Sequence, residues 1–335
     1  MVKSKKRGTD KIDKKEEAPQ AAAFVITRRT LITVVSVIVA IMLIIIGGVY
    51  YQTSVAPFRR AIIKIDNVPI TMDYLIKRAR VSGSEPMSMI ESLSNELLIR
   101  IAAPQLGIDL TPQELDKELR ILASGGTENM TDQEFKEWYR QRLNESKLSD
   151  SEYKEIVRTG ILGTRLQEYL ATKVPTVAEQ VHLNAMVLDT YDNAQKARAR
   201  IKAGETFANV VKEVSLDEQS KQDGGDAGWL PRGVMDSSLE SVIFNLKVGE
   251  VSEATPYSQD PSSGVSVYYL FMISEKANRE VAPEFMEVLK GSALQRWLAE
   301  EKQYHDIQYN FDSEIYAWLN YQLAKYKTDE GEQQQ

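Results

Sequence analysis

The chain of 335 residues contains no cysteine. Disulfides, thiolate metal sites, thiol nucleophiles and lipid attachment at an N-terminal cysteine are therefore excluded. Histidine is nearly as scarce. His182 and His305 are the two in the sequence, which rules out a multi-histidine zinc site, and neither a cofactor nor a metal is expected. Basic residues are in the minority, 41 Lys and Arg against 48 Asp and Glu, for a formal net charge of -7. No long basic patch follows the N-terminal tail, so no nucleic acid is expected as a partner, and a peptide or protein is easier to accommodate. Charge is missing altogether from Thr30 to Phe58, where Leu31 to Tyr51 is dense in Ile, Val and Leu.

That uncharged run reads as a membrane span. About 20 residues at a rise of ~1.5 Å cover the ~30 Å hydrocarbon core, whereas the apolar region of a cleavable signal peptide is only ~7 to 15 residues long. Ser54-Val55-Ala56 has the small residues of a cleavage site, but Pro57 follows it directly and fits a signal peptidase poorly. The sequence thus predicts an uncleaved anchor rather than a buried core helix. Nine Lys and Arg residues precede the span, including Arg28 and Arg29 at its edge, against Arg59, Arg60 and Lys64 just after it. This asymmetry places the N-terminus in the cytoplasm and the rest of the chain outside. Tyr50 and Tyr51 fall where interfacial aromatics are enriched.

Length and an apolar content of 43% suffice for two folded units. Residues 1–29 lack any periodicity that could bury a face and are expected to be disordered. Ala61 to Thr71 alternates around Asp66-Asn67 as a strand and turn would, and Thr71 offers a helix cap. Thr111-Pro112-Gln113-Glu114, Thr131-Asp132-Gln133-Glu134 and Ser149-Asp150-Ser151-Glu152 are three capping boxes in succession, the first with proline at the opening helical position. Leu93, Leu97 and Ile101, and again Leu162, Leu166 and Leu170, recur at four-residue spacing, giving each helix an apolar stripe. The pattern changes near Pro175 to a compact alternating region with glycines at its turns and a helix over Asn193 to Ala203, running to about Lys276. After Pro283 helix returns with Phe285, Leu289 and Trp297 on one side, and again from Ser313 to Lys325 with Ile315, Trp318, Leu319 and Leu323. The acceptor triplets at Asn129 and Asn144 matter only in a glycosylating pathway.

Within the alternating region, Gly224-Gly225-Asp226-Ala227-Gly228-Trp229 is followed by Pro231-Arg232-Gly233-Val234-Met235 and then by Lys247-Val248-Gly249-Glu250-Val251-Ser252. With Ala203-Gly204-Glu205-Thr206-Phe207 and the loop Ser215-Leu216-Asp217 before them, these motifs in this order and spacing resemble the parvulins, small α/β peptidyl-prolyl isomerases. The glycines supply positive φ and close backbone approach, and Phe207 and Trp229 are large enough to anchor a small core. The motif is therefore read as scaffold. An anchor, a helical segment, an inserted parvulin domain and closing helices together resemble the SurA, PrsA and PpiD group of extracytoplasmic chaperones.

The resemblance implies a multidomain chain: a disordered cytosolic tail over 1–29, a transmembrane signal anchor over 30–52, an all-α SurA-N-like chaperone module over 55–176, an α+β parvulin domain with an antiparallel sheet over 177–279, C-terminal helices over 280–327 that complete the chaperone module, and a disordered tail over 328–335. It also implies two strand histidines and an acidic side chain beside an apolar proline pocket. Counting back from Gly204 puts the first histidine position at Ala185. His182, three positions away on a strand, points to the opposite face and reads as a partly exposed strand residue. The second position is Tyr269 when the strand is anchored on Ile273 to Lys276, or Ser266 when it is anchored on Gly264. Asp217 or Glu218 holds the acidic position. Met235, with Leu230 and Leu239, stands where the pocket is lined, and core packing is an equal reading for all three. The hairpin Tyr257 to Ser263 is longer than the family pattern.

Both histidine positions thus read as substituted. The expected function is a membrane-anchored chaperone for unfolded or nascent exported polypeptides, with a parvulin-like domain that binds proline-containing segments and is weak or inactive as an isomerase. The bilayer is its partner through the N-terminal helix, and the secretion translocon is a further candidate partner. Two alternatives stand: an active prolyl isomerase that works by pocket and desolvation, with Tyr269 as a phenolic donor, and a structural subunit of a translocon-associated or envelope assembly.

Overall fold

A computed structural model describes residues 28–126, 130–258 and 267–333. Residues 1–27 of the expected N-terminal tail, the last two residues, Asn129, Gly264, Ser266 and the tip of the hairpin after Ser258 lie outside the described residues, while 328–333 of the expected C-terminal tail continue a helix. The chain divides into two compact units that meet between Arg59 and Arg60.

The described part of the first unit, from Arg28 on, is helical. Helix α1 (Arg28–Tyr50) passes through one π-helical turn, Tyr51–Val55, into the short α2 (Ala56–Arg59). The stretch Leu31–Arg59 is long and apolar enough to cross a membrane, and helical structure runs past the 30–52 span read from the sequence. Two of its hydroxyls bond back within the helix, Thr33 donating to the Arg29 carbonyl and Thr53 to that of Val49, both at 2.9 Å.

The second unit opens with β1 (Ala61–Ile65) and β2 (Val68–Thr71), a hairpin whose turn holds Asp66 at φ 53. The Thr71 hydroxyl then caps α3 (Met72–Ser82), and α4 (Pro86–Ala102) follows with Glu85 as its cap. Helices α5 (Pro112–Ala123), α6 (Asp132–Ser146) and α7 (Asp150–Lys173) each begin in a complete capping box, at Thr111, Thr131 and Ser149. In every box the Glu carboxylate accepts from the cap's backbone amide while the cap hydroxyl accepts from the Glu amide, so two orphan donors are satisfied at once. The stripes behave as their spacing predicts. Leu93, Leu97, Leu162 and Leu166 are all but fully buried, where α4 packs on α7.

The α+β region follows: β3 (Val177–Leu188), α8 (Tyr191–Lys202), α9 (Phe207–Val214), α10 (Glu218–Lys221), β4 (Asp226–Pro231), α11 (Ser237–Asn245), β5 (Thr255–Tyr257) and β6 (Val267–Glu280). Its sheet has the order β4-β3-β6-β5 with antiparallel neighbours. Side chains alternate across a strand, so each face has its own core. One face packs Met186, Leu188 and Leu270 against Ala194, Ala197, Phe207, Val210 and Val211 of α8 and α9. The other packs Val181, Leu183, Phe271 and Ile273 against Ile243 and Phe244 of α11.

The chain closes with α12 (Pro283–Gly291), α13 (Ala293–Glu301), β7 (Ile307–Tyr309) and α14 (Ser313–Gln333). Helices α12 and α13 pack on α7, α13 also on α4, and α14 on α3. Gln167 stitches this contact, its side chain donating to the Lys290 carbonyl and accepting from the Leu294 amide. Strand β7 pairs with β1, giving the order β2-β1-β7. The expectation of an all-α module is therefore corrected. Ile62, Ile63 and Ile65 are fully buried, and a three-stranded sheet shared by the two sequence segments lies among the helices.

Candidate functional site

Strands β3 and β6 lie side by side in the centre of the larger sheet, with Ala185 opposite Phe271 and Val187 opposite Tyr269. Residues two apart share a face, so Leu183, Ala185 and Val187 look the same way as Ile273, Phe271 and Tyr269. Over this face α11 lays Leu239, Val242, Ile243 and Phe244, the turn before it supplies Met235, and β4 supplies Leu230. Ala185, Tyr269, Leu230, Met235 and Leu239 all pack on this one cluster, and each is half-buried. The result is an apolar bed with a partly open surface.

Aromatic rings extend the bed along β6. Tyr269 stacks on Phe271 at 5.5 Å between centroids with 14° between planes, and Tyr257 of β5 meets Tyr269 edge-on at 5.8 Å. Burial pushes the Tyr269 phenol above its usual range, and the charges of Tyr257 and Asp217 push it further the same way. At neutral pH Tyr269 is thus an uncharged O–H donor.

The loop from Ser215 to Gly225 is pinned to β3 at the two residues that face the bed. The Ala185 amide donates to the Gly225 carbonyl and the Leu216 amide to the Val187 carbonyl, both at 2.8 Å. The buried Ser215 hydroxyl accepts from the Val187 amide at 3.3 Å. Asp217 caps α10, accepting from the Gln219 amide and, at 2.6 Å, from the Ser220 hydroxyl. Of the two acidic candidates, Asp217 is the one whose charge bears on Tyr269, while Glu218 pairs with Lys221 at the surface. Gly224 and Gly225, at φ 70 and 83, have no room for a side chain: a Cβ on Gly224 would come within 2.6 Å of the Ala208 Cβ, and one on Gly225 would collide with the Ala185 carbonyl oxygen.

Neither histidine reaches the bed. His182 lies on the other face of β3, its Nδ1 2.8 Å from the Ser274 hydroxyl and its ring edge-on to Trp229 at 5.3 Å. His305 belongs to the segment between α13 and β7. Trp229 corrects one expectation. Instead of anchoring a core it is half-exposed, in contact with the edge-on His182 ring and with the Arg279 guanidinium, which stands 4.2 Å from its ring centroid. Phe207 is buried as expected. Phe271 was not singled out in the sequence, Ser215 entered only as part of the loop motif, and Tyr257 only as the start of the long hairpin. Val267 to Ile273 is a continuous apolar run, as expected of a strand buried on both faces, so alternation could not say which ring looks toward the bed. Among the described residues no group of His, Asp and Glu is arranged to hold a metal ion.

The bed offers apolar contact, aromatic faces, a phenolic donor and a nearby carboxylate, but no imidazole. Residues 174–263 match the rotamase family, described as the PPIC-type PPIase domain, so the matched segment ends before β6 and Tyr269. The foldase protein PrsA of Caldanaerobacter subterraneus is 26% identical over 223 residues, covering 63% of this chain and 70% of that protein. The PrsA of Clostridium kluyveri is 35% identical over 137 residues, 39% of each chain. A solved structure of a peptidylprolyl isomerase, PrsA of Bacillus cereus, overlays with a TM-score of 0.36 at 17% identity, covering 80% of this chain and 92% of that one. The chain therefore carries a PPIC-type parvulin domain, and its similarity lies with the PrsA foldases.

Proposed function

We propose that the chain is a membrane-anchored foldase for exported polypeptides, whose parvulin domain holds extended, proline-containing segments and turns them over weakly or not at all. In this reading α1 is a signal anchor with its N-terminus in the cytoplasm, and the domains after Arg60 lie outside the membrane. The helices on either side of the parvulin domain form one chaperone module, a SurA-N-like cradle built from 55–176 and 280–327. Its clients are unfolded or nascent exported chains, captured through apolar segments, and the translocon from which they emerge is a further partner.

One observation supports the isomerase half of this reading: Ala185 and Tyr269, read by resemblance as histidine positions, pack on one apolar bed, and both histidines of the chain lie off it. Prolyl isomerisation breaks no covalent bond. The barrier of ~18–20 kcal/mol falls only if the twisted amide is bound better than the planar one. An apolar bed edged by the Tyr269 and Tyr257 phenols holds both forms of a prolyl segment, and it carries few polar groups that would favour the twisted one. Asp217, the remaining polar residue of the expected site, is occupied as a helix cap.

The test is a protease-coupled assay with a proline tetrapeptide on the full chain in detergent micelles, run beside a histidine-bearing parvulin. A rate at or near background is expected, together with suppression of client aggregation at equimolar amounts. A rate comparable to the histidine-bearing enzyme would establish an active isomerase instead. Failure to suppress aggregation would favour a purely structural subunit.

A further inference from the structure

We infer that His305 is a pH-sensitive clasp that fastens the C-terminal strand β7 to the β1–β2 hairpin, closed when the imidazole is protonated and loosened when it is not. The side chain is 10% exposed, and both ring nitrogens face carboxylates. Nδ1 lies 2.8 Å from Oδ2 of Asp66, in the β1–β2 turn, and Nε2 lies 3.3 Å from Oε1 of Glu301, at the end of α13. Asp66 is itself part of the junction. Its second carboxylate oxygen accepts from the Asp306 amide at 3.1 Å, and its own amide donates to the Asp306 carbonyl at 2.8 Å. Asp306 turns its carboxylate to the Gln308 side chain, which donates to it at 2.7 Å. The charged groups facing the ring from the elements around it are thus Asp66 and Glu301, both acidic.

Proton count decides the state of this junction. An imidazolium has two N–H donors, one for each carboxylate, whereas a neutral imidazole has one. Deprotonation leaves a ring nitrogen lone pair opposed to a carboxylate, so one of the two contacts turns from attraction to repulsion. The Asp66 hydrogen bond, above all, raises the His305 pKa over its ordinary value against the opposing pull of burial, and Asp66 is correspondingly lowered. For a base whose folded pKa is raised, the stabilisation is complete below the unfolded value of about 6.5 and is lost as pH rises through the folded value. The clasp therefore tightens toward acid and opens toward alkali.

What it holds is small enough to depend on it. Strand β7 pairs with β1 at Ile63, Lys64 and Ile65, the Asn310 amide adds one bond to the Ile62 carbonyl, and α14 follows. Opening the clasp loosens this edge of β1, while α14 stays packed on α3. The device is independent of what the apolar bed binds, and it does not need the parvulin domain to be active.

The test uses the full chain in detergent micelles, labelled at histidine. Two signals are expected, assigned by His182→Gln, and the His305 signal should titrate above about 6.5. The thermal midpoint should fall as pH rises through that titration, and chymotryptic cleavage after Tyr304 or Tyr309 should quicken several-fold over the same range. His305→Gln should lose this pH dependence, Asp66→Asn should reduce it, and His182→Gln should keep it. A His305 signal titrating at or below about 6.5 in the wild-type chain, or an unchanged pH dependence in His305→Gln, would overturn the clasp.

Discussion

The amide of Ala185 donates to the carbonyl oxygen of Gly225 at 2.8 Å, and the approach this bond requires leaves no space for a side chain on Gly225. The double glycine is therefore a fastening between the acidic loop and the strand that floors the apolar bed.

Gly225→Ala should destabilise the parvulin domain by ~3 kcal/mol, since it combines a left-handed backbone with displacement of β3. Gly228→Ala, at φ 72 but facing open space, should cost only the backbone term of ~1–2 kcal/mol. Urea unfolding of both variants reads the difference. Equal losses would show that the contact with Ala185 contributes nothing.

Restoring imidazoles on the bed tests the site assignment directly. The double variant Ala185→His with Tyr269→His should raise kcat/KM for a proline tetrapeptide by ~10-fold, the effect of about one well-placed hydrogen bond. No gain in a folded variant would place the proline-binding groove elsewhere.

Acid should act on the helical module through its capping boxes. The Thr111 backbone amide, then the Arg165 side chain and the Thr111 hydroxyl, lower the Glu114 carboxyl from 4.5 to about 2. A depressed carboxyl stabilises above its unfolded pKa, and that contribution disappears as pH falls through the folded value. Glu114→Gln keeps the box but not the charge. Urea titrations should find it less stable than wild type at pH 7, with the difference vanishing between about 4.5 and about 2. A difference that persists below this window would assign the loss to packing.

Topology has its own readout. Protease added to intact spheroplasts should remove epitopes placed after Lys325 and spare one placed before Arg28, because the excess of Lys and Arg lies on the N-terminal side of α1. The opposite protection pattern would reverse the orientation.

Local signals in the sequence were read well. Thr111, Thr131 and Ser149 cap the helices their boxes announce, and the strand and turn expected over Ala61 to Thr71 form a hairpin, because these signals are written among near neighbours in sequence. The bed was legible only through the resemblance. Nothing in the periodicity of β6 distinguishes Tyr269 from Tyr268, which lies on the α8 side with its ring edge-on to Tyr191. Pairings between distant segments left no trace at all. Strand β7 is three residues long, and Ile307-Gln308-Tyr309 acquires its role only from β1. His305 was no more than one of two histidines until the fold brought Asp66 and Glu301 to it. The same holds for Trp229, whose size suggested a core but which instead meets a histidine edge-on and an arginine over its ring, half-exposed.

The union of β1 with β7 also sets the order in which the molecule can assemble. Asp66 and Asp306 stand 240 residues apart in sequence, and synthesis from the N-terminus at ~5–20 residues per second makes the first strand wait tens of seconds for the last. The parvulin domain is contiguous and needs no such partner. Ile62, Ile63 and Ile65, by contrast, begin life with one edge unpaired. A newly made copy of this chain passes through the half-finished state of the clients proposed for it, which makes the final thirty residues the limiting component of its own maturation.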